Sequence, residues 1–351
     1  MSTPTTLRVA VATPLTPELA AEIVRLEPRV DLAFEPDLLP EARYPGDHVG
    51  DPGFRRSPAE QARFHELVDS AEALYGVPDE TPAELRRTAD ANPALRWVHT
   101  MPAGGGGQLR AAALTRDQLQ RIAVSTSAGV HAEPLAEFAL LGVLAGAKTL
   151  PRLRVLQDRA EWPERWVMPL LSEQRVMVAG FGHIGRATAR KLRALGATVA
   201  AVARSTEFAD EADEIIAPDD LIARIADFDA VVITLPGTDK TTGLFDDAVF
   251  GAMRRGATVV NVGRGTVIAE DALVRALVDG RVGFAALDVF AAEPLAADSP
   301  LWNHPAVLVS PHTAGLNPGE DRLIARLFAE NASRLLDGRE LLNRVNTVEF
   351  Y

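Results

Sequence analysis

Three polar residues in the second half of the chain have the types and spacing for acid–base chemistry on a small anion. Arg264 stands in Asn261-Val262-Gly263-Arg264-Gly265, just past an apolar run. Glu293 lies five residues after Asp288, in Asp288-Val289-Phe290-Ala291-Ala292-Glu293-Pro294, and His312 sits in Ser310-Pro311-His312-Thr313-Ala314-Gly315. A histidine exchanges a proton near neutral pH, a nearby carboxylate favours its charged form and orients it, and an arginine fork grips a carboxylate. Beside a reduced nicotinamide, these are the parts for hydride transfer to a 2-keto acid. Each residue also has a plainer reading. Arg264 could bind a carbonyl at a sheet edge, Glu293 could be a surface acid before a proline, and His312 could be a loop histidine satisfied by backbone groups.

A nicotinamide needs a dinucleotide site, and Gly180-Phe181-Gly182-His183-Ile184-Gly185 supplies the pattern for one. It follows a predicted strand and opens a predicted helix, which makes a weak glycine match informative. Gly180 permits the tight turn, Gly182 lets the backbone approach a pyrophosphate, and Gly185 lets helix pack on strand, with helix N–H groups facing the anion. His183 reads as a solvated first-turn residue within reach of phosphate, and Ile184 as its neighbour in the motif. About 20 residues on, where an acid usually holds a free ribose hydroxyl, stands Ala203, followed by Arg204, Ser205 and Thr206. A cation and two hydroxyls suit a 2′-phosphate that a carboxylate would repel. NADP(H) is therefore expected over NAD(H), the alternative being that Glu207 or Asp210 reaches the ribose and Arg204 is solvated.

The elements that must position these groups follow from alternation. From Leu7, apolar runs (LRVAVA, VDLAF) alternate with the amphipathic stretch 18–26. Residues 36–60, rich in Pro, Gly and charge, read as a long surface loop that shapes a pocket entrance. Strand-like 71–77 and 95–101 precede Pro102-Ala103-Gly104-Gly105-Gly106-Gly107, whose backbone could approach a ligand or could simply link. The lysine and hydroxyl residue of a nucleotide P-loop are missing after these glycines. A helix is predicted over 132–149. Strands at 174–180, 197–203, 229–235, 256–262, 282–288 and 306–310 then alternate with helices near 184–195, 218–227, 246–253 and 269–279. A last amphipathic helix spans 321–336. Runs this apolar, each separated by a helix, imply a parallel sheet covered on both faces.

Composition narrows the function class. At roughly 150 residues per domain, 351 residues predict about two domains. Thirty-six basic against 48 acidic residues give a net charge of −12, which disfavours nucleic acid as a partner. There is no cysteine, so disulfides, thiolate nucleophiles and Cys-ligated zinc are excluded, and a cytoplasmic location is the default expectation. No basic, apolar leader is seen at the N-terminus, and the longest apolar stretch, Phe138 to Ala147, has ten residues, too few to span a membrane. His99 and His131 lie near the presumed cleft, yet no histidine–carboxylate spacing is that of a metal site, so no metal is expected. Trp162 and Trp166 suggest a subunit contact or a core.

Taken together, these motifs make the chain resemble the D-isomer-specific 2-hydroxyacid dehydrogenase family over essentially its whole length. The match rests on Gly180 to Gly185, Leu235-Pro236 with Thr242-Gly243-Leu244, Asn261 to Gly265, Asp288 to Pro294 and Ser310 to Gly315, in that order. The resemblance implies an α/β fold of two Rossmann-like or flavodoxin-like domains with parallel sheets and the active site in the interdomain cleft. A substrate domain would comprise 1–105 and 312–351, and a dinucleotide-binding domain 106–311. It implies Arg264 as the substrate-binding arginine, Glu293 as the histidine's partner and His312 as the proton donor. It also implies Ala103, Gly104 and Gly105 as the loop that holds the substrate carboxylate, and Asp288 as a residue placing the nicotinamide carboxamide. Leu235, Pro236 and Gly315 join the cofactor set. The family pattern departs at Ala203-Arg204, where an acid is usual, and at Gly105-Gly106, where a bulkier apolar residue and a polar neighbour are usual. Reduction of glyoxylate or hydroxypyruvate by NADPH is the activity expected, in a homodimer formed through 132–172. The alternative is a dinucleotide-sensing interaction protein, similar to the family's transcriptional corepressors.

Overall fold

The computed structural model describes residues 6–347, and the chain divides into two compact units, Met1–His131 with Leu316–Tyr351, and Ala132–Gly315. Residues 1–5 and 348–351 of the expected substrate domain lie outside the described residues. The boundaries fall later than the expected 105/106 and 311/312. The reason is a strand, Ala123–Thr126, that pairs in the first sheet and also meets the chain's end, where Ser125 bridges Arg344 and Asn343 Nδ2 donates to Thr126 O and Ala128 O.

The first unit alternates β1 (Leu7–Val11), α1 (Pro17–Leu26), β2 (Val30–Ala33), α2 (Pro58–Asp69), β3 (Ala73–Tyr75), α3 (Pro82–Ala91), β4 (Trp97–Thr100), α4 (Gly106–Ala112), α5 (Arg116–Arg121) and β5 (Ala123–Thr126). The C-terminal helix Glu320–Leu336 completes it. Its strands are all parallel in the order β2-β1-β3-β4-β5, the flavodoxin-like winding. Leu7, Val9 and Val11 of β1 pack with Tyr75, Trp97 and Phe328, and the Trp97 and Phe328 rings stack at 4.6 Å. Much of the 36–60 segment is irregular, as expected, but α2 begins inside its end at Pro58. There Ser57 and Glu60 form a capping box.

The second unit opens with α6 (Ala132–Ala147) and α7 (Leu150–Asp158), where a single helix over 132–149 was expected. It continues through β6 (Arg175–Ala179), α8 (His183–Ala194), β7 (Thr198–Val202), β8 (Glu214–Ile216), α9 (Leu221–Arg224), β9 (Ala230–Ile233), α10 (Asp247–Ala252), β10 (Ala257–Asn261), α11 (Glu270–Val278), β11 (Val282–Leu287) and β12 (Val307–Val309). Its seven parallel strands run β12-β11-β10-β9-β6-β7-β8. Every residue of β9 and β10 is buried, as expected of strands covered on both faces. The strand order reverses between β6 and β9, and ligands of open α/β sheets bind at that crevice, beyond the carboxyl ends of the strands.

Candidate active site

The sequence-predicted triad converges within the second unit. Arg264, Glu293 and His312 line a single cavity of about 200 Å³ together with Gly265, Phe290 and Ala291. Each side chain enters from a loop just after a strand: Arg264 after β10, Glu293 after β11 and His312 after β12. His312 Nδ1 lies 2.6 Å from Glu293 Oε2, and the two side chains keep 52% and 35% of their exposure. Glu293 is itself fixed, because its Oε1 accepts from the Phe290 N–H at 2.9 Å. With Nδ1 engaged by the carboxylate, Nε2 is the ring nitrogen left to exchange a proton.

The histidine loop is held by a residue whose role lies deeper than the sequence suggested. Asp288 is 1% exposed, and its Oδ1 accepts from Ser310 Oγ at 2.6 Å and from the Thr313 and Ala314 N–H groups at 3.0 Å each. Its carbonyl accepts from His312 N–H at 2.9 Å. Three donors on one buried carboxylate oxygen compensate its desolvation and pin the loop. His312 adopts φ +53°, a left-handed backbone that a non-glycine residue keeps only where its surroundings enforce it. Ser310 was not singled out from sequence as a residue with a role. Its signal is a small hydroxyl residue directly after an apolar strand.

Arg264 is positioned in the same way by Asn261, which is fully buried. Asn261 Nδ2 donates to the Arg264 carbonyl at 3.1 Å and its Oδ1 accepts from Gly263 N–H at 3.0 Å, while Arg264 Nη1 donates to Gly263 O at 2.8 Å. Any side chain at 265 would run into the Phe290 backbone, so the arginine turn and the loop after β11 are in direct contact.

The glycine motif occupies the switch point. Gly180, at φ +100°, ends β6, and a Cβ there would sit 2.9 Å from Thr234 Oγ1. Gly182 caps the N-terminus of α8, and a Cβ on it would meet nothing within 4 Å, so its surface is open to a ligand. A Cβ on Gly185 would run into the Gly180 carbonyl, as close packing of helix on strand requires. Thr234, unremarked in the sequence, donates to Gly180 O at 2.8 Å and ties the end of β9 to this turn. Leu235 and Pro236 follow it, and the Pro236 carbonyl accepts from Thr241 Oγ1 at 2.6 Å. His183 and Ile184 form the first turn of α8, His183 exposed and Ile184 half-buried. Arg204 and Ser205 are exposed just past β7, and Ser205 Oγ accepts from Glu207 N–H at 3.1 Å. Gly315 is the last residue of this unit. An open N-terminal helix turn with a glycine cap fits a dinucleotide pyrophosphate.

The substrate-loop residues and His99 belong to the first unit, Trp162 and Trp166 to the second. Ala103 and Gly104 lie in the turn between β4 and α4, and Gly105 is buried against Thr100. The helix beginning at Gly106 replaces the plain linker reading of this segment. His99 is buried within the core, hydrogen-bonded to Ser125 and Ser127. Of the two tryptophans, Trp162 is 98% exposed, so it fills no core of this chain, whereas Trp166 donates to Thr149 Oγ1 at 3.2 Å. Among the described residues no group of three or more His, Cys, Asp or Glu is arranged to hold a metal ion, and no helix is long and apolar enough to cross a membrane.

Residues 140–314, about half of the chain, match the family described as D-isomer specific 2-hydroxyacid dehydrogenase, NAD binding domain. Glyoxylate/hydroxypyruvate reductase A of Serratia proteamaculans is 30% identical over 210 residues, which is 58% of this chain and 66% of that protein. Glyoxylate/hydroxypyruvate reductase B of Salmonella paratyphi A is 28% identical over 295 residues, 82% of this chain and 89% of that protein. A D-isomer specific 2-hydroxyacid dehydrogenase from Xanthobacter autotrophicus Py2, crystallised in complex with NADPH and MES, matches with a TM-score of 0.77 at 26% identity, covering 99% of this chain and 100% of that one.

Proposed function

The chain belongs to the D-isomer specific 2-hydroxyacid dehydrogenase family, and from that premise we propose that it is an NADPH-dependent reductase of small 2-keto acids, glyoxylate and hydroxypyruvate first among them. The observation that carries this reading is the convergence of His312, Glu293 and Arg264 on one cavity. When bound, the reduced nicotinamide supplies the hydride. Arg264 grips the substrate carboxylate in a two-point contact that fixes the keto carbon, and Ala103, Gly104 and Gly105 are kept as the substrate-loop residues that the family pattern suggests. His312, held through Nδ1 by Glu293, donates the proton on Nε2 to the carbonyl oxygen as it gains charge. The product is then the D-2-hydroxy acid.

The cofactor set proposed is Gly180, Gly182, His183, Ile184 and Gly185 at the pyrophosphate, and Leu235, Pro236 and Gly315 around the crevice. Arg204 and Ser205 would take the 2′-phosphate. Asp288 retains the nicotinamide carboxamide as a proposed partner besides the loop it pins. NADPH in a structural relative 26% identical supports the choice of cofactor, as does the lack of an acid at Ala203. A homodimer is proposed through 132–172, where Leu141, Trp162, Val167 and Leu170 are exposed apolar side chains, and a cytoplasmic location is proposed on the cysteine-free composition.

Turnover of a panel of 2-keto acids with NADPH and with NADH, followed by coenzyme absorbance, tests the reading. Glyoxylate or hydroxypyruvate should give the highest kcat/KM, with NADPH. Coenzyme binding without turnover of any keto acid would instead favour a dinucleotide sensor.

A further inference from the structure

One face of α8 carries Arg186, Arg190 and Arg193, spaced as neighbours on a helix surface. All three reach the segment that follows β7, where the proposed 2′-phosphate residues Arg204 and Ser205 lie. Arg186 Nη1 is 3.2 Å from Glu211 Oε1, and Arg190 Nη1 is 3.1 Å from Glu211 Oε2. Arg193 donates to the Asp210 carbonyl at 3.0 Å and pairs with Asp213 at 3.2 Å.

Arg186 is the most committed of the three. Its side chain is 19% exposed, its guanidinium lies 3.9 Å from the centre of the Phe208 ring, and its Nη2 is 3.5 Å from His183 Nδ1 in the glycine motif. One side chain therefore touches both ends of the coenzyme-facing surface, the turn at the pyrophosphate and the end of the loop after β7. A cation that lies over an aromatic ring and also pairs with a carboxylate is a contact that resists displacement.

We propose that Arg186 is a positioning residue for coenzyme selection: by clasping Phe208 and Glu211 it holds segment 203–208 in the form that receives a 2′-phosphate. In the same contact it keeps the Glu211 carboxylate neutralised. Loss of the clasp frees the loop and leaves Glu211 facing one guanidinium instead of two. Both changes oppose a doubly charged phosphate and leave a ribose hydroxyl almost indifferent. This inference rests on the NADPH reading above.

Its test is coenzyme affinity by calorimetry on the full chain, independent of turnover. Arg186→Gln should weaken NADPH binding about tenfold, the scale of one charge-assisted contact, and NADH binding about twofold at most. Arg186→Lys should recover part of the NADPH affinity, and so should adding Glu211→Gln to Arg186→Gln, which removes the released carboxylate. Phe208→Leu, which takes away only the ring, should shift the NADPH/NADH ratio in the same direction and serves if Arg186→Gln fails to fold. A ratio unchanged in these variants, or equal loss for both coenzymes, overturns the inference while leaving the NADPH reading intact. Equal affinities in the unmodified chain overturn both.

Discussion

The His312–Glu293 pair and the group formed by Glu320 with His131 and His48 look alike on paper and differ in what surrounds them. In the second unit, His312 and Glu293 meet at 2.6 Å at the wall of a cavity, both substantially exposed. In the first unit, Glu320 receives His131 at 2.9 Å and His48 at 3.4 Å, with the carboxylate side chain 2% exposed. Burial pushes the Glu320 carboxyl up, but hydrogen bonds from His131 and His48 outweigh it and hold the group at about 2. This second assembly faces inward and acts as a fastener. Gly46 N–H donates to Asp321 at 3.2 Å, and the His48 carbonyl accepts from Thr13 Oγ1 at 2.6 Å, so the 43–50 loop is tied both to the C-terminal helix and to the end of β1. An imidazole does chemistry where one ring nitrogen is fixed and the other is reachable. Where the surroundings close over it, the same pair becomes a structural clamp.

The sharpest way to break this comparison is to delete each histidine or acid in turn and see which property falls. His312→Ala should lower kcat by about 10² to 10⁴, roughly 3 to 5 kcal/mol of barrier, with the melting temperature almost unmoved because the side chain packs against little. A loss of less than tenfold would remove His312 from the donor role. Glu293→Gln should lower kcat by roughly 10², since the amide can no longer fix one ring tautomer and stabilise the cation, while coenzyme affinity holds. Loss of coenzyme binding in that variant would point to a collapsed loop instead of an orphaned histidine.

How far such roles were legible in sequence varied with the distance over which they are built. Six of the second unit's seven strands are apolar runs that could be read directly, as could the glycine turn between β6 and α8, whereas the short edge strand β8 (Glu214–Ile216), only partly buried, was missed. The first unit was harder. Helix α2 buries only Phe64, Leu67 and Val68 and its periodicity is faint, while α3 buries only Leu85 and Ala89 among its apolar side chains. Their N-termini did carry signals, Ser57-Pro58 with Glu60 and Thr81-Pro82 with Glu84, since both caps accept from the third residue on. The triad was found because each member follows a strand. Asp288 pinning Ser310, Thr313 and Ala314, and Glu320 meeting His48 from 272 positions away, were not, because no local pattern records which loop a buried acid will satisfy.

Two smaller effects sharpen the contrast on the side of stability. Glu320→Gln should cost about 1 to 3 kcal/mol in chemical denaturation by leaving two imidazoles without their carboxylate, and kcat should stay within a few-fold of the unmodified chain. If kcat collapsed while stability held, the fastener would have to be reclassified as part of the reaction.

His99 gives the last prediction. Buried beside Trp97 and Phe328, its imidazole is held by desolvation down at about 3, so the folded chain resists a proton that the unfolded chain accepts near 6.5. A basic group with a lowered folded value contributes full stability above 6.5 and loses it as the pH falls toward 3. By pH 5 the loss is roughly 2 kcal/mol. Glu320, a lowered acid, loses its contribution in a more acidic window, between about 4.5 and 2, so the two groups separate along the pH axis. In His99→Gln, stability should be lower at pH 7 but nearly flat between pH 6.5 and 5, where the unmodified chain declines. An equal decline in both would mean that the acid sensitivity of the first unit arises elsewhere.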